Sequence, residues 1–122
     1  MMLDCLAVGL GGFFGSICRY LLGLIPIKNP AGFPIMTLMI NVLGAFVLSI
    51  VAALAAKEAG LGPRAVLFLK VGLCGGFTTF STFAYESYKL MSGGSSGVGV
   101  AYMLLSALLG LAAVLAGQAV VR

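Results

Sequence analysis

Four apolar stretches, each long enough to cross a lipid bilayer, take up nearly all of this 122-residue sequence. They cover roughly residues 3–24, 35–56, 65–90 and 99–121, and a helix needs about 20 mostly apolar residues to cross the hydrocarbon core. We therefore predict an all-α membrane protein with one domain, residues 1–122, of four transmembrane helices. No room remains for a soluble domain.

The composition excludes several classes of function. Charged residues make up only 8% of the chain and hydrophobic residues 61%, too few charges to cover the surface of a soluble domain. The basic residues are scattered, so they do not indicate a nucleic-acid partner. With no histidine and three acids, hydrolytic, metal-dependent or acid–base chemistry has almost nothing to use, and we expect no enzyme.

Lysine and arginine are nearly balanced between the two faces of the membrane. Four helices put both termini on one face, together with Lys57, Arg64 and Arg122, while the other face carries Lys28 and Lys89. Orientation follows the excess of Lys and Arg in short loops, and here the excess is slight. Two interpretations stay open: a single orientation set by a small margin, or insertion both ways with formation of an antiparallel homodimer.

The stretch LCGGFTTFSTF, residues 73–83, interrupts the third apolar segment. Gly75 and Gly76 are poor helix formers, and the hydroxyl residues that follow compete with the helical backbone for hydrogen bonds. We predict a break in the helix near residues 75–79. The carbonyl oxygens freed there are good ligands for a hard cation such as sodium; the alternative is a kinked helix whose hydroxyls cap their own turn.

Aromatic and polar side chains around this break suggest a path for an anion. Phe80 and Phe83 share one helical face, and the positive ring edges of such a pair favour a small anion, although phenylalanines at this spacing are usually lipid or core contacts. Thr37 and Asn41 share a face of the second segment. A buried amide needs partners, so Asn41 donates either to an anion or to a neighbouring helix.

Besides Asp4, four charged residues lie in the apolar segments. Arg19, near the end of the first, is either part of a functional site or reaches out to the membrane interface. Glu86 and Lys89, three residues apart, are spaced to pair. Lys70 precedes the proposed break and either draws anions toward a vestibule or extends outward; the sequence does not choose between these.

Three segments of the chain resemble the Fluc family, also called CrcB, of small bacterial fluoride channels. They are GGFFGSICRY at 11–20, TLMINVLGAF at 37–46 and GLCGGFTTFSTF at 72–83, of which the last is the most specific. The length and the four-helix layout also agree. The fourth segment resembles the family least.

The resemblance implies a dual-topology homodimer with two pores, set among the lipids of the bacterial inner membrane. It implies passive export of fluoride. It also implies a structural sodium ion that is not transported, held at the dimer centre by the backbone carbonyls of Gly75 and Thr78 from both chains.

The resemblance further assigns side chains to the pore and its surroundings. Carried onto this sequence, the fluoride pore is lined by Asn41, Phe80, Phe83, Ser81, Thr82, Thr37 and Ser106. Arg19 and Glu86 support the vestibule and the packing. The chain departs from the family pattern at Met36, where a glycine is common, and at Lys70, where an uncharged residue is expected. The charge of Lys70 could alter the conductance or the dependence on sodium.

Two other functions remain to be weighed. A small multidrug exporter shares the length, the four helices and the dual topology, but it needs a membrane-embedded glutamate in the first helix, which here has only Asp4 at its start. A non-transporting assembly subunit would use small-residue pairs such as Gly11 with Gly15 for helix contacts. The assembly-subunit interpretation predicts no ion flux through the purified protein.

Overall fold

Five helices form the four apolar segments in the computed structural model, which describes all residues Met1–Arg122. We number them α1 (Met2–Gly23), α2 (Ile35–Ala56), α3 (residues 63–77), α4 (Phe80–Ser92) and α5 (Ser96–Val120). The third segment therefore consists of α3 and α4. All four segments are long and apolar enough to cross a membrane, which confirms the prediction of four such helices.

The last connection is shorter than the sequence suggested. The predicted segments 65–90 and 99–121 leave residues 91–98 between them, but only the turn between Ser92 and Ser96 is non-helical. Gly94 makes this turn with a φ of 87°, a backbone conformation that glycine adopts without strain. Gly99 is already helical and buried. It packs closely on the turn before it, since a Cβ there would lie 3.0 Å from Met91 Cγ. α5 thus begins three residues before the predicted start.

The third segment breaks at two threonines. Thr78 has a ψ of 159°, and Thr79 is extended with φ −147° and ψ 122°. Thr79 then caps α4, because its Oγ1 accepts a hydrogen bond from the Thr82 amide at 3.2 Å, the usual role of threonine at this position. The break lies within the predicted range.

The glycines, by contrast, are not the cause of the break, and that part of the prediction is wrong. Gly75 has helical angles, φ −63° and ψ −40°, and Gly76 is helical too. Gly76 allows α3 to approach α1, because a Cβ there would lie 2.7 Å from Gly12 O. Small residues serve this purpose in membrane helices.

α3 also contains a feature that the sequence did not predict. Pro63–Val66 is α-helical, Leu67–Cys74 is a π-helix and Gly75–Phe77 is α-helical again. Within the π-helical part, Gly72 touches α1 so closely that a Cβ would lie 2.6 Å from Val8 O. Turns of π-helix are rare and occur often at functional sites.

The break divides the third segment between two helix pairs. α3 packs against α1, whereas α4 packs against α5, and α2 packs along α5. The close contact of α2 and α5 depends on Gly117, where a Cβ would lie 2.8 Å from Phe46 O. The second half of the third segment therefore faces α2 and α5, and Glu86 points toward these two helices.

The termini and the turn after α2 share one face of the molecule, here called the termini face. Arg64 at the start of α3 pairs with Asp4 at 3.1 Å, and Lys57 donates to the carbonyl of Val121. The other two connections lie at the opposite face, here called the loop face. This agrees with an even number of membrane crossings.

Most large apolar side chains lie on the outside of the chain. Only 14 of 122 residues are buried, while Phe13 and Leu108 are 58% and 64% exposed. So much apolar surface is suited to lipid or to another protein surface. Both of these were predicted as partners, and a second copy stays a prediction.

Candidate functional site

Asn41 holds the break in the third segment from the side of α2. Its Nδ2 donates to Thr79 O at 3.0 Å, and its Oδ1 accepts from Thr79 N at 2.8 Å. Both backbone groups of Thr79 would otherwise lack partners in the extended turn, and unpaired groups inside a membrane are costly. Asn41 therefore bonds a neighbouring helix, one of its two open alternatives, and keeps a second Nδ2 hydrogen for another acceptor.

A groove of about 520 Å³ runs beside this break, between α2, α4 and α5. Four of the predicted pore residues share it: Asn41, Phe80, Phe83 and Ser106. The remaining lining is mostly apolar, with Thr78 and Thr79 as the other polar residues. The structure thus brings these side chains together from three helices that are far apart in sequence.

Ser106 Oγ is the one buried side-chain polar atom in the structure that has no partner. This oxygen is shielded from solvent and makes no hydrogen bond. A buried hydroxyl without a partner costs about 1–3 kcal/mol, so such a group in a native fold calls for a reason. Together with the second Nδ2 hydrogen of Asn41, it gives the groove two donors that the chain itself does not use.

Phe80 and Phe83 lie together at the mouth of the groove. Their ring centroids are 5.8 Å apart with an interplanar angle of 46°. Phe80 is 79% exposed, whereas Phe83 is partly covered and packs on the Tyr102 ring at 5.2 Å. Phe83 therefore makes a core contact, while Phe80 has almost no neighbour in its own chain.

A second cavity of about 410 Å³ opens toward the loop face. It is lined by Arg19, Thr37, Thr82 and Glu86 among others. Thr79 lines this cavity and also the groove. The broken turn therefore forms the wall between the two spaces.

Glu86 is fixed in this cavity by two hydroxyl donors. Thr37 Oγ1 donates to Oε1 at 2.7 Å, and Tyr102 Oη donates to Oε2 at 2.9 Å. Hydrogen bonds to a charged carboxylate are the stronger kind. Thr37, predicted as a pore hydroxyl, thus lies in the loop-face cavity and not in the groove.

The predicted pair of Glu86 with Lys89 does not form, so that prediction is wrong. Glu86 turns inward to α2 and α5, while Lys89 is exposed and its Nζ lies 5.8 Å from the centroid of the Tyr85 ring. The hydroxyls of Thr37 and Tyr102 donate to the Glu86 carboxylate in place of the expected contact with Lys89.

Tyr102 is a further residue of the site, one for which no role was predicted from the sequence. Its side chain is completely buried, and besides Glu86 it contacts the rings of Phe33 and Phe83. The sequence did contain an indication that Tyr102 makes a buried polar contact. It is one of few polar residues in an apolar segment, and a buried tyrosine hydroxyl needs a partner.

Arg19 bonds inward and does not extend to the membrane surface. Its Nε donates to Gly76 O at 3.2 Å. In an unbroken helix this carbonyl would accept from the amide of residue 80, and the break removes that donor. Arg19 thus stabilises the end of α3 and also places its charge beside the loop-face cavity.

The two remaining predicted pore hydroxyls lie in different surroundings. Thr82 lines the loop-face cavity, and its Oγ1 accepts from Thr79 Oγ1 at 3.1 Å. Ser81 is exposed on the outside of the chain, with its Oγ 3.5 Å from Thr79 Oγ1. It lines neither of the two cavities.

Two backbone carbonyls at the break have lost their helical donors. The Thr79 amide, which would bond Gly75 O in a regular helix, donates to Asn41. The Thr82 amide, which would bond Thr78 O, donates to Thr79 Oγ1, and no other amide donates to Thr78 O. Neutral carbonyl oxygens suit a hard cation such as sodium, so this donor set fits the predicted ion.

Comparison with known proteins places the sequence among relatives. Residues 6–118 match the family described as "CrcB-like protein, Camphor Resistance (CrcB)". A protein of Ruminiclostridium cellulolyticum is 41% identical over 118 residues, which cover 96% of this chain and 91% of the relative. One of Methanopyrus kandleri is 43% identical over 114 residues, covering 93% and 85%. One of Clostridium perfringens is 38% identical over 122 residues, covering 99% and 95%. Each of the three is named "Fluoride-specific ion channel FluC".

Proposed function

Because the chain belongs to the CrcB family, we propose that it is a fluoride-specific ion channel that exports fluoride passively across the bacterial inner membrane. The resemblance seen in the sequence is confirmed at the level of the family. The protein is a member of a channel family and not an enzyme. This membership argues against the multidrug-exporter interpretation.

The observation that carries the proposal is the pair of unused donors in the groove. Fluoride is strongly hydrated, so a selective path replaces its water by hydrogen-bond donors and still lets it leave. Ser106 Oγ has no partner, and Asn41 has one free Nδ2 hydrogen after bonding Thr79. The ring edges of Phe80 and Phe83 add weak positive stations beside them.

The loop-face cavity serves as the vestibule in this proposal. Arg19 lines it and uses only its Nε for Gly76, so its positive charge and further N–H groups stay available to draw anions inward. Thr82 and Thr79 continue the polar lining toward the break. Thr79 leads to the groove because it borders both spaces.

We further propose that the working unit is an inverted homodimer with a structural sodium ion between its chains. Gly75 O and Thr78 O supply two oxygens from one chain, and hard cations take more oxygen ligands than two, so a second copy would complete the set. The ion would neutralise the exposed carbonyl dipoles and would not be transported. The near balance of basic residues between the two faces supports insertion in both orientations.

Fluoride efflux from liposomes that contain the purified protein tests the pore assignment, with chloride efflux as the comparison. Phe80→Ile removes a ring edge, and Asn41→Asp replaces a donor by a negative charge. We expect Asn41→Asp to lower fluoride efflux by about tenfold or more, since a hydrogen bond to a charged group contributes about 1.5–3 kcal/mol. Phe80→Ile should also lower it, because the anion loses the positive ring edge.

Phe14→Ile is the matched control, because Phe14 is 50% exposed on α1 and lines neither cavity. Its efflux should equal that of the unchanged protein. Unaltered efflux in both Phe80→Ile and Asn41→Asp would refute the pore assignment. A protein without any fluoride flux would support the assembly-subunit interpretation.

A further inference from the structure

The outside of the third segment carries groups that lipid cannot satisfy. Lys70, Val71 and Gly75 are exposed along α3, and Tyr85 on α4 is 63% exposed. Gly75 is open to the outside, because a Cβ there would meet nothing closer than the backbone of its own helix, at Lys70 O 4.0 Å away. An unpaired carbonyl and an ammonium group do not face hydrocarbon at low cost.

Lys70 has no anionic partner within its own chain. Both ion pairs of the structure involve Asp4, which binds Arg64 and the N-terminus. Glu58 lies in the turn at the termini face, and Glu86 lies beyond the break, where Thr37 and Tyr102 hold it. The ammonium group therefore needs a partner from outside the chain.

The register of an inverted pair decides what that partner is. Lys70 precedes Gly75 by five residues, and Tyr85 follows Thr78 by seven. If the carbonyls of Gly75 and Thr78 from two inverted copies meet at one ion, the Lys70 Cα lies about 10 Å from the midpoint in depth and the Tyr85 Cα of the other copy about 15 Å on the same side.

Side-chain direction closes this difference in depth. Helical side chains lean toward the N-terminus of their helix. Lys70 therefore extends away from the break, and Tyr85 leans back toward the break. In an inverted pair the ammonium group of one chain and the phenol ring of the other reach the same level of the membrane.

Tyr85 has the chemistry to accept this cation. Its ring is largely exposed, and an ammonium group, that of Lys89, already lies 5.8 Å from the ring centroid. An aromatic ring has two negative faces, and one ammonium leaves a second face free. No carboxylate is needed for the contact.

We propose that Lys70 binds the ring of Tyr85 in an inverted second copy of this chain, and that the contact occurs twice in the dimer because the interface is self-complementary. The inference rests on the proposed inverted dimer and adds a determinant of partner choice. A partner without the aromatic ring at position 85 leaves one Lys70 unpaired, so an identical copy is preferred over a divergent relative.

Cross-linking with a bifunctional maleimide tests the register. The exposed Cys5 and Cys18 are changed to alanine, the buried Cys74 is kept, and Lys70→Cys and Tyr85→Cys are combined in one chain. The reagent should give a covalent dimer, because it spans the offset of about 5 Å in depth between the two Cα atoms, which on two separate helices is too far for a direct disulfide. Each single variant should give none, because two copies of either position lie about 20–30 Å apart in depth in the inverted pair.

Gly75→Cys is the reference, since it lies beside the two-fold axis and a Cβ there meets nothing closer than 4.0 Å. If Gly75→Cys cross-links and the 70–85 pair does not, the dimer stands and the contact is refuted. If neither cross-links, the inverted pair is refuted as well, while fluoride efflux by the unchanged protein still tests the channel separately.

The strength of the contact is measured from dimer dissociation in detergent. Lys70→Met and Tyr85→Leu should each weaken the dimer by about 5- to 30-fold for two contacts, and the double variant should lose little more than either single one. Tyr85→Phe keeps the ring and should retain the affinity. Dissociation that depends on anionic lipid and not on Tyr85 would show that Lys70 binds headgroups, and would overturn the proposal.

Discussion

At the scale of single residues, Ser106 separates conduction from stability. Its buried hydroxyl has no partner, so Ser106→Ala removes an unsatisfied group and should leave the protein equally stable or more stable by about 1 kcal/mol. Fluoride efflux should nevertheless fall, because a donor is lost from the groove. Thermal unfolding in detergent and liposome efflux measure the two effects.

Ser16→Ala is the control for this change, since Ser16 Oγ bonds only Phe13 O of its own helix and lies outside both cavities. It should alter neither property. A clear loss of stability in Ser106→Ala would mean that the hydroxyl is bonded in the folded protein and is not reserved for an ion.

Tyr102 gives a second prediction at this scale. Tyr102→Phe keeps the ring contacts with Phe33 and Phe83 but removes the hydrogen bond to Glu86. We expect a loss of about 1.5–3 kcal/mol of stability, the usual contribution of a hydrogen bond to a charged group, seen as a lower unfolding temperature. Tyr88→Phe, on a ring that is 65% exposed, should change little.

Some of this site was readable from residue types and some was not. The hallmark 72–83 pointed to Phe80 and Phe83, and Asn41 stood out as an amide inside an apolar run. Its two hydrogen bonds to the backbone of Thr79 could not be predicted, because they depend on the depth at which α2 lies beside the break. The contact of Glu86 with Tyr102 depends in the same way on the helical phase across the turn after Ser92.

At the scale of elements, glycines hold α1 and α3 together at backbone distance. Gly72→Ala would place a methyl group 2.6 Å from Val8 O and 2.8 Å from Gly11 Cα, and backbone atoms cannot step aside. We expect this variant to lose most of its folded fraction, as seen by gel filtration after purification.

Gly110→Ala is the matched control in α5. A Cβ at Gly110 would have no neighbour within 4 Å, so the variant should gain up to about 1 kcal/mol from helix propensity. If Gly72→Ala folds as well as Gly110→Ala, the tight crossing of α1 and α3 is wrong.

The elements also show what hydroxyl and glycine patterns can predict. The position of the break could be predicted because threonines and glycines cluster at 75–79. Its cause could not, since glycine permits both a bent backbone and a close helix crossing, and only the neighbouring α1 decides between them. The π-helix Leu67–Cys74 leaves no residue signature, because a wider turn uses the same apolar residues as an ordinary one.

At the scale of the whole molecule, sodium is the sharpest test of the proposed dimer. Purification with N-methylglucamine in place of sodium should lower the unfolding temperature and promote dissociation, because an ion that binds only the assembled state stabilises it by about 2.7 kcal/mol at 100 times its Kd. Added sodium should restore both. Liposomes under a sodium gradient should take up no sodium through the protein.

Stability that is indifferent to sodium would contradict the role proposed for the carbonyls of Gly75 and Thr78.

The four membrane segments were predictable because apolar length alone specifies them. The assembly was not, because the faces of the molecule differ too little in charge to fix an orientation, and the surface of α3 and α4 suits either lipid or protein until its unpaired groups are seen.

The two hydrogen bonds between Asn41 and Thr79 have one more consequence. Both backbone polar groups of Thr79 are satisfied before any anion arrives, so the break is completed during folding and does not wait for an ion. If the protein conducts fluoride as proposed, this stretch of the path is preorganised, and no ion is needed to shape it.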